Sequence, residues 1–389
     1  MHVRLANAPA RSLLIAALAT LAVLAWQLAV VAFVYRGNVA GLFFTGDRFP
    51  PPPELRPTTP IIHGTQGYDG QFYRYIAHDP LFTKDYAAYI DDARLRYRRI
   101  LVPGLARAVS VTGLPVEWAY VGVVLGSVFA GVYWCCRWML DHALPVIYGA
   151  VFLLVPGTLA SIERMLVDGT LTALAVGFFW YSGRHRWGAA ALCCAVAALT
   201  RETGFLLVCG GAVAAVWERR LCRALLFAAA GAPAIAWYVI VARSTPPSAA
   251  HGIMTSPLVG LFARLFVVRS HPDAAIQTIL RTLDVLSVLG LLGALGAAVL
   301  LLRYERSAAV RAAAVLFLIL GCVLGGPAHM TDAYGFARPV SPLIAWIWMR
   351  AAAERRWLLA TPPVTMSLSV GAYLVQTSWT AVQQVLHWS

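Results

Sequence analysis

SLLIAALATLAVLAWQLAVVAFV, from Ser12 to Val34, carries no charged side chain over 23 residues. Crossing about 30 Å of hydrocarbon takes roughly 20 predominantly apolar residues, so the run is long enough to span a bilayer. It is too long for the apolar region of a secretory signal, and no small-x-small cleavage site follows it. It reads as an uncleaved first span. The rest of the chain agrees: of 389 residues, 60% are hydrophobic and only 13% charged, and the mean hydropathy is +0.69. A soluble domain needs about 25% charged residues for its surface.

Working outward, apolar runs recur at Val116–Trp134, Leu144–Leu159, Leu166–Trp180, Trp187–Leu199, Gly204–Val216, Leu225–Val241, Val285–Leu302, Ala312–Leu324, Phe336–Met349 and Met366–Leu386. With the first run they predict an all-α, polytopic bundle of about eleven spans. Short cytoplasmic loops are enriched in Lys and Arg, which supplies an independent test. With Arg4 and Arg11 inside, the inner turns hold Arg137, Arg184 and Arg186, Arg219, Arg220 and Arg223, Arg303, Arg306 and Arg311, and Arg350, Arg355 and Arg356. The short outer turns hold isolated charges only. The net charge of +13, almost all arginine with Lys84 as the single lysine, is thereby explained by topology, and no nucleic-acid partner is expected. Cys135, Cys136, Cys193, Cys194, Cys209, Cys222 and Cys322 follow neither zinc nor disulfide spacing and read as small apolar residues.

The chain is expected to form one membrane domain over residues 1–389, with two long extracytoplasmic loops at 36–115 and 243–283. The first loop contains the rigid run Pro50 to Pro53. It ends on Arg96-Tyr97-Arg98-Arg99-Ile100-Leu101-Val102, basic and then apolar, which suits a helix lying against anionic headgroups or the basic start of the next span. The last apolar run nearly reaches Ser389, so no soluble C-terminal domain is expected.

Four polar groups gather on the outer face. Gly67-Tyr68-Asp69-Gly70-Gln71-Phe72-Tyr73, with Asp79 after it, offers Asp69 as a general base or metal ligand, or as a turn residue capping the next helix. Glu163 and Arg164, with Asp168 behind them, form either a structural ion pair or a substrate contact, since charge at membrane depth is expensive. Thr200-Arg201-Glu202-Thr203 divides a stretch too short for two comfortable spans. It predicts two short helices whose turn dips below the surface, where Arg201 would bind a phosphate or pair with Glu202 or the preceding group. His329 to Pro339 contains Asp332, Tyr334 and Arg338, and Arg338 is either a second phosphate ligand or a snorkelling interfacial arginine. Together the four predict a polar cavity open to the outside.

In order, Tyr68-Asp69-Gly70-Gln71-Phe72-Tyr73, Arg96-Tyr97-Arg98-Arg99-Ile100-Leu101-Val102-Pro103, Leu199-Thr200-Arg201-Glu202-Thr203-Gly204 and Tyr334-Gly335-Phe336-Ala337-Arg338-Pro339 resemble the bacterial GT-C superfamily of integral membrane glycosyltransferases, near its mannosyltransferase-like members. The resemblance implies a GT-C-like fold and extracytoplasmic transfer of a sugar from a polyprenyl-phosphate donor to an acceptor hydroxyl, by an inverting displacement. The acceptor is a glycan, lipid or protein. The resemblance maps onto Asp69 the first loop's acidic residue, which acts as base or organises the site, and makes Arg201 and Arg338 the donor-phosphate ligands. Tyr68, Gln71, Tyr73, Asp79, Glu163, Arg164, Asp168, Glu202, Asp332 and Tyr334 become candidates to line the cavity. It also implies a juxtamembrane helix near Asp91 to Ala108 and a bacterial inner (cytoplasmic) membrane location, with membrane lipids as surroundings. Several branches of the family place two adjacent acids in this loop, whereas Asp69 is followed by glycine. Asp79 or Asp91-Asp92 would have to supply a second carboxylate, and the participation of a divalent cation stays open. The competing readings are a transporter or lipid flippase, against which stands the absence of an internal repeat, and another polyprenyl-linked glycan enzyme such as a polymerase or ligase.

Overall fold

The computed structural model describes residues 8–248, 254–266, 274–326 and 333–388. Helix makes up 77% of it, which settles the all-α class. The first helix, α1 (Ala8–Ala29), runs on through a wide turn at Val30–Val34. The first long loop follows. Its two-residue strands β1 (Thr45–Gly46) and β2 (Ile61–Ile62) pair in parallel, with Thr45 opposite Ile61. Three short helices complete it: α2 (Asp69–His78), α3 (Ala93–Arg98) and α4 (Leu101–Ser110).

Then come α5 (Val116–Asp141), a 3₁₀ segment at Val146–Leu154, α6 (Pro156–Arg164) and α7 (Asp168–Gly183). These are followed by α8 (Trp187–Thr200), α9 (Phe205–Trp217), α10 (Leu221–Ala230) and α11 (Ala232–Ser244). The remainder is α12 (Val259–Phe266), α13 (Ala274–Leu302), α14 (Ala308–Val323), α15 (Ala333–Ala337), α16 (Ser341–Ala353) and α17 (Thr361–Trp388).

Among the described residues, five helices are long and apolar enough to cross a membrane: Pro9–Val34, Val116–Asp141, Leu221–Ser244, Gln277–Leu302 and Trp357–Gln384. A sixth span exists if Val146–Leu154 and Pro156–Arg164 count as one, bent by 62°. Proline explains that bend, because Pro156 has no N–H to continue a ladder and therefore opens a new helix. Leucines 13, 14, 18 and 21 stand exposed on α1, as they would against lipid. These helices are consistent with a membrane protein. The other runs of the expected eleven are also helical but shorter. Helices α8 and α9, at 14 and 13 residues, each reach about 20 Å, less than a hydrocarbon core of about 30 Å.

Two boundaries differ from expectation. Helix α13 begins at Ala274, inside the stretch expected to be the second loop, because Ile279, Leu280 and Leu283 continue its apolar pattern downward. The single helix expected over Asp91 to Ala108 is two, α3 and α4, broken at Arg99 and Ile100. Pro103 is the cause, since its ring collides with a helical carbonyl four residues earlier, at Arg99.

The tip of α2 lies against the end of α6. A methyl group at Gly70 would run into the carbonyl oxygen of Arg164 and lie 3.1 Å from that of Phe43. Neither backbone can yield as a side chain would. Gly70→Ala is therefore expected to lower stability by about 1–3 kcal/mol, read as a fall in the thermal midpoint of the detergent-solubilised protein. An unchanged midpoint would mean that α2 is free to slide off α6.

Candidate functional site

Asp69 and Asp168 each open a helix, α2 and α7, and each is followed by glycine. A carboxylate in the first turn is favoured by the helix dipole. Neither is spent as a cap, because both turn to arginine. Asp69 Oδ2 lies 2.8 Å from Arg96 Nη1, and Arg338 Nη1 donates to it at 3.0 Å. On one side Arg96 also grips Asp91, Nε to Oδ1 at 3.0 Å and Nη2 to Oδ2 at 2.8 Å. On the other, Arg338 Nη1 is 3.6 Å from Asp168 Oδ2, and Asp168 contacts Arg201. The result is one chain of charge: Asp91, Arg96, Asp69, Arg338, Asp168, Arg201. Three carboxylates balance three guanidiniums.

A second pair braces the chain. Arg99 Nε meets Glu202 at 3.1 Å, and its Nη1 donates to the Tyr73 hydroxyl at 2.9 Å. This pins the break between α3 and α4 to the break between α8 and α9. That second break forms because Arg201 is extended (φ −162°, ψ 151°) and Gly204 packs on the backbone of Ala197 and Ala198.

Burial pushes the Asp69 carboxyl up. The Arg96 guanidinium outweighs this, with Arg338 and Arg99 behind it, and holds the carboxyl well below the usual carboxylate range. Reciprocally, burial disfavours charge on Arg96, but Asp69 and then Asp91 raise its pKa further. Asp69 is thus a carboxylate at every ordinary pH. In this resting state it is also a weak base.

A polar cavity of about 230 Å³ opens on the chain, lined by Tyr68, Asp69, Gln71, Asp91, Arg96 and Arg338 among others. Arg338 lies 5.0 Å over the Tyr68 ring and Arg96 lies 5.3 Å over Phe72. Gln71 holds the cavity wall, accepting from Gly46 N at 3.2 Å and donating to the Gln66 carbonyl at 3.0 Å. Two guanidinium faces beside a carboxylate can bind an oxyanion and take a proton from a neighbouring hydroxyl.

The expected site residues divide accordingly. Asp69, Arg338, Tyr68 and Gln71 come together at the cavity. Arg201 and Asp168 lie behind it, 4% and 1% exposed, and neither lines it. The Arg201 guanidinium is taken up by its own partner, Asp168. Tyr73 and Glu202 serve to hold Arg99. Asp79 is taken up by its own loop, accepting from Thr83 N at 2.6 Å, Thr83 Oγ1 at 2.9 Å and Lys84 N at 3.0 Å. Glu163 and Arg164 pair with each other at 3.1 Å, while Thr377 donates to Glu163 and Arg164 covers Phe44. Arg164 faces a neighbouring groove instead. Tyr334 sits in α15 beside Gly335, but its side chain, like Asp332 altogether, lies outside the described residues.

Arg96 is the residue that sequence reasoning placed elsewhere, on an interfacial helix. One signal pointed to it. Arg94, Arg96, Arg98 and Arg99 crowd the segment expected to be an outer loop, where arginine is not needed for topology, so some require another partner.

Among the described residues, no group of three or more His, Cys, Asp or Glu side chains could hold a metal ion. The two acids of the cavity, Asp69 and Asp91, both lie on Arg96, which a cation would have to displace. The described residues do not fit a divalent ion. Compared with models of protein families, with functionally characterised proteins and with solved structures, the chain matches none.

Proposed function

We propose that this protein is a GT-C-type glycosyltransferase of a bacterial inner membrane. It takes a sugar from a polyprenyl-phosphate donor and transfers it, with inversion, to an acceptor hydroxyl on the extracytoplasmic side. The observation that carries this reading is Asp69 held between Arg96 and Arg338 at the mouth of one polar cavity.

The chemistry follows from that arrangement. The acceptor oxygen attacks the anomeric carbon and gives its proton to Asp69. The bond between the anomeric carbon and the phosphate oxygen breaks, and polyprenyl phosphate leaves with the electron pair. Arg338 and Arg96 receive the growing negative charge. Both guanidiniums rest on Asp69 before donor arrives. An incoming phosphate takes a share of their charge, so Asp69 becomes more basic as the donor docks. The base is weak until it is needed.

A groove of about 540 Å³ adjoins the cavity and shares Tyr68 with it. Val34, Phe44, Ile62 and the α17 residues Tyr373, Gln376, Thr377 and Thr380 line it, with Arg164 at its wall. Its position between α1 and α17 supports lateral entry of a lipid-linked substrate from the bilayer. The eleven-span threading with a cytoplasmic N-terminus belongs to the same proposal. It is supported by helix at every apolar run and by the one-sided arginines.

The test is full-length protein in liposomes given polyprenyl-phosphate carrying a labelled sugar. The expected result is label leaving the lipid in the presence of an acceptor. If the donor stays intact across several sugars and acceptors while crossing the bilayer, the transporter reading takes its place.

A further inference from the structure

At the other end of the bundle a second cleft, with charged side chains set in a largely apolar wall, is built, unrelated to the Asp69 chemistry. Helix α7 starts at Asp168 and ends at Gly183, so it carries the chain about 24 Å away from the ion-pair chain. Helix α5 reaches the same end over about 39 Å. Their last turns, the α13–α14 turn and Arg350 of α16 enclose about 310 Å³.

The charges in this cleft are unequally committed. Of its acids, Asp141 accepts from Trp180 Nε1 at 2.9 Å and from Arg184 Nη1 at 3.0 Å. Glu305, 3% exposed, accepts from Trp346 Nε1 and from Ser307 N, both at 3.0 Å. Both carboxylates are therefore engaged with donors of the protein itself. The cations keep capacity. Arg306 is exposed and has no ion pair or hydrogen bond among the described residues. Arg350 is only 5% exposed, and its Nε has no hydrogen-bond partner among them, although its Nη2 reaches the Tyr304 carbonyl and Glu354. A buried guanidinium N–H without an acceptor costs free energy that an external acceptor would return. Ser307 also caps α14, a 16-residue helix, so its positive end meets the cleft.

We infer that this cleft binds the phosphate-bearing headgroup of an anionic membrane lipid, in the leaflet opposite to Asp69. Arg306 and the Arg350 Nε would take the phosphate oxygens. Trp138 and Trp180, both buried, give the cleft an apolar wall beside its charges. Basic pockets between helix ends are the usual receptors for such headgroups. A free phosphate offers the same oxygens without the glycerol and acyl chains, so the experiment separates the two sources.

Full-length protein in mild detergent is offered phosphatidylglycerol, phosphatidylcholine or inorganic phosphate, and bound molecules are counted by native mass spectrometry. Wild type is expected to retain phosphatidylglycerol over phosphatidylcholine. Arg306→Gln is expected to lower that retention roughly fivefold, and Arg306→Gln with Arg350→Gln by a comparable further factor. Arg306→Lys keeps the charge and should restore most of it. Since Arg306 is exposed, its substitution leaves the fold intact even if the double variant is lost. Equal retention of the two lipids, or no effect of Arg306→Gln, overturns the proposal. Binding of inorganic phosphate without lipid preference overturns the lipid and leaves a free-anion site.

Discussion

Asp69→Asn is expected to lower sugar transfer by about 10²–10⁴-fold, the usual worth of a positioned general base. The fold should survive the change. Arg96 keeps both of its bonds to Asp91, and Arg338 keeps Asp168 and the Tyr68 ring. Donor should bind as well as before or better, because the neutral amide no longer competes with phosphate for the two guanidiniums. The signature is thus a fall in kcat without a rise in the donor KM. Activity equal to wild type would remove Asp69 from the chemistry.

The pH dependence follows with a definite sign. Arg96 and Arg338 overcome burial and hold the Asp69 carboxyl below its unfolded value of about 4. The stability from its pairing is therefore fully present above that unfolded value and is lost only as pH falls through the lower folded one. Wild type should show no acid limb from Asp69 in kcat/KM near neutrality. Arg338→Gln removes one cation and lets burial push the carboxyl up, so an acid limb should move into the measurable range. A profile unmoved by Arg338→Gln would break the coupling between the two residues.

Arg201→Gln is expected to have the largest effect on stability, a loss of about 3–5 kcal/mol. Arg201 is 4% exposed, and its partner Asp168 is 1% exposed. Removing the guanidinium leaves Asp168 buried with only Arg338, at 3.6 Å. The penalty is mainly that of an uncompensated charge, so adding Asp168→Asn should restore part of the loss. A double-mutant cycle on thermal midpoints in detergent measures this coupling directly. The contrasting outcome is also informative. Full stability with a selectively raised donor KM would return Arg201 to the role of phosphate ligand that its place in Leu199-Thr200-Arg201-Glu202 implied.

Much of the site was legible before any fold was known. Arg201, Asp168 and Arg338 are widely separated in sequence, yet a single constraint selects them: they are charged residues beside apolar runs, where charge needs a reason. Asp69, in the middle of the first long loop, is marked instead by its place between glycine and aromatic residues. Of the two readings open for Glu163 and Arg164, the structure holds them as an ion pair, and Asp79 is taken up by its own loop. Hydropathy registers that a charge sits near the membrane but not which atoms neutralise it. Arg96 shows the converse failure. In a loop rich in arginine, one guanidinium looks like the next until α3 turns it toward Asp69.

Helical class, membrane character and the positions of the apolar runs follow from hydrophobic length and proline placement, which act locally along the chain. Each residue contributes its transfer free energy to its own helix, so a linear reading captures them. Which charge meets which is decided by contacts between residues 69, 96, 168, 201 and 338, brought together by five separate elements. Those pairings depend on distances of a few ångströms set by breaks at Arg99 and Arg201 and by the close approach at Gly70. Electrostatic energy in a buried site changes steeply over such distances, and only the packed tertiary structure determines them.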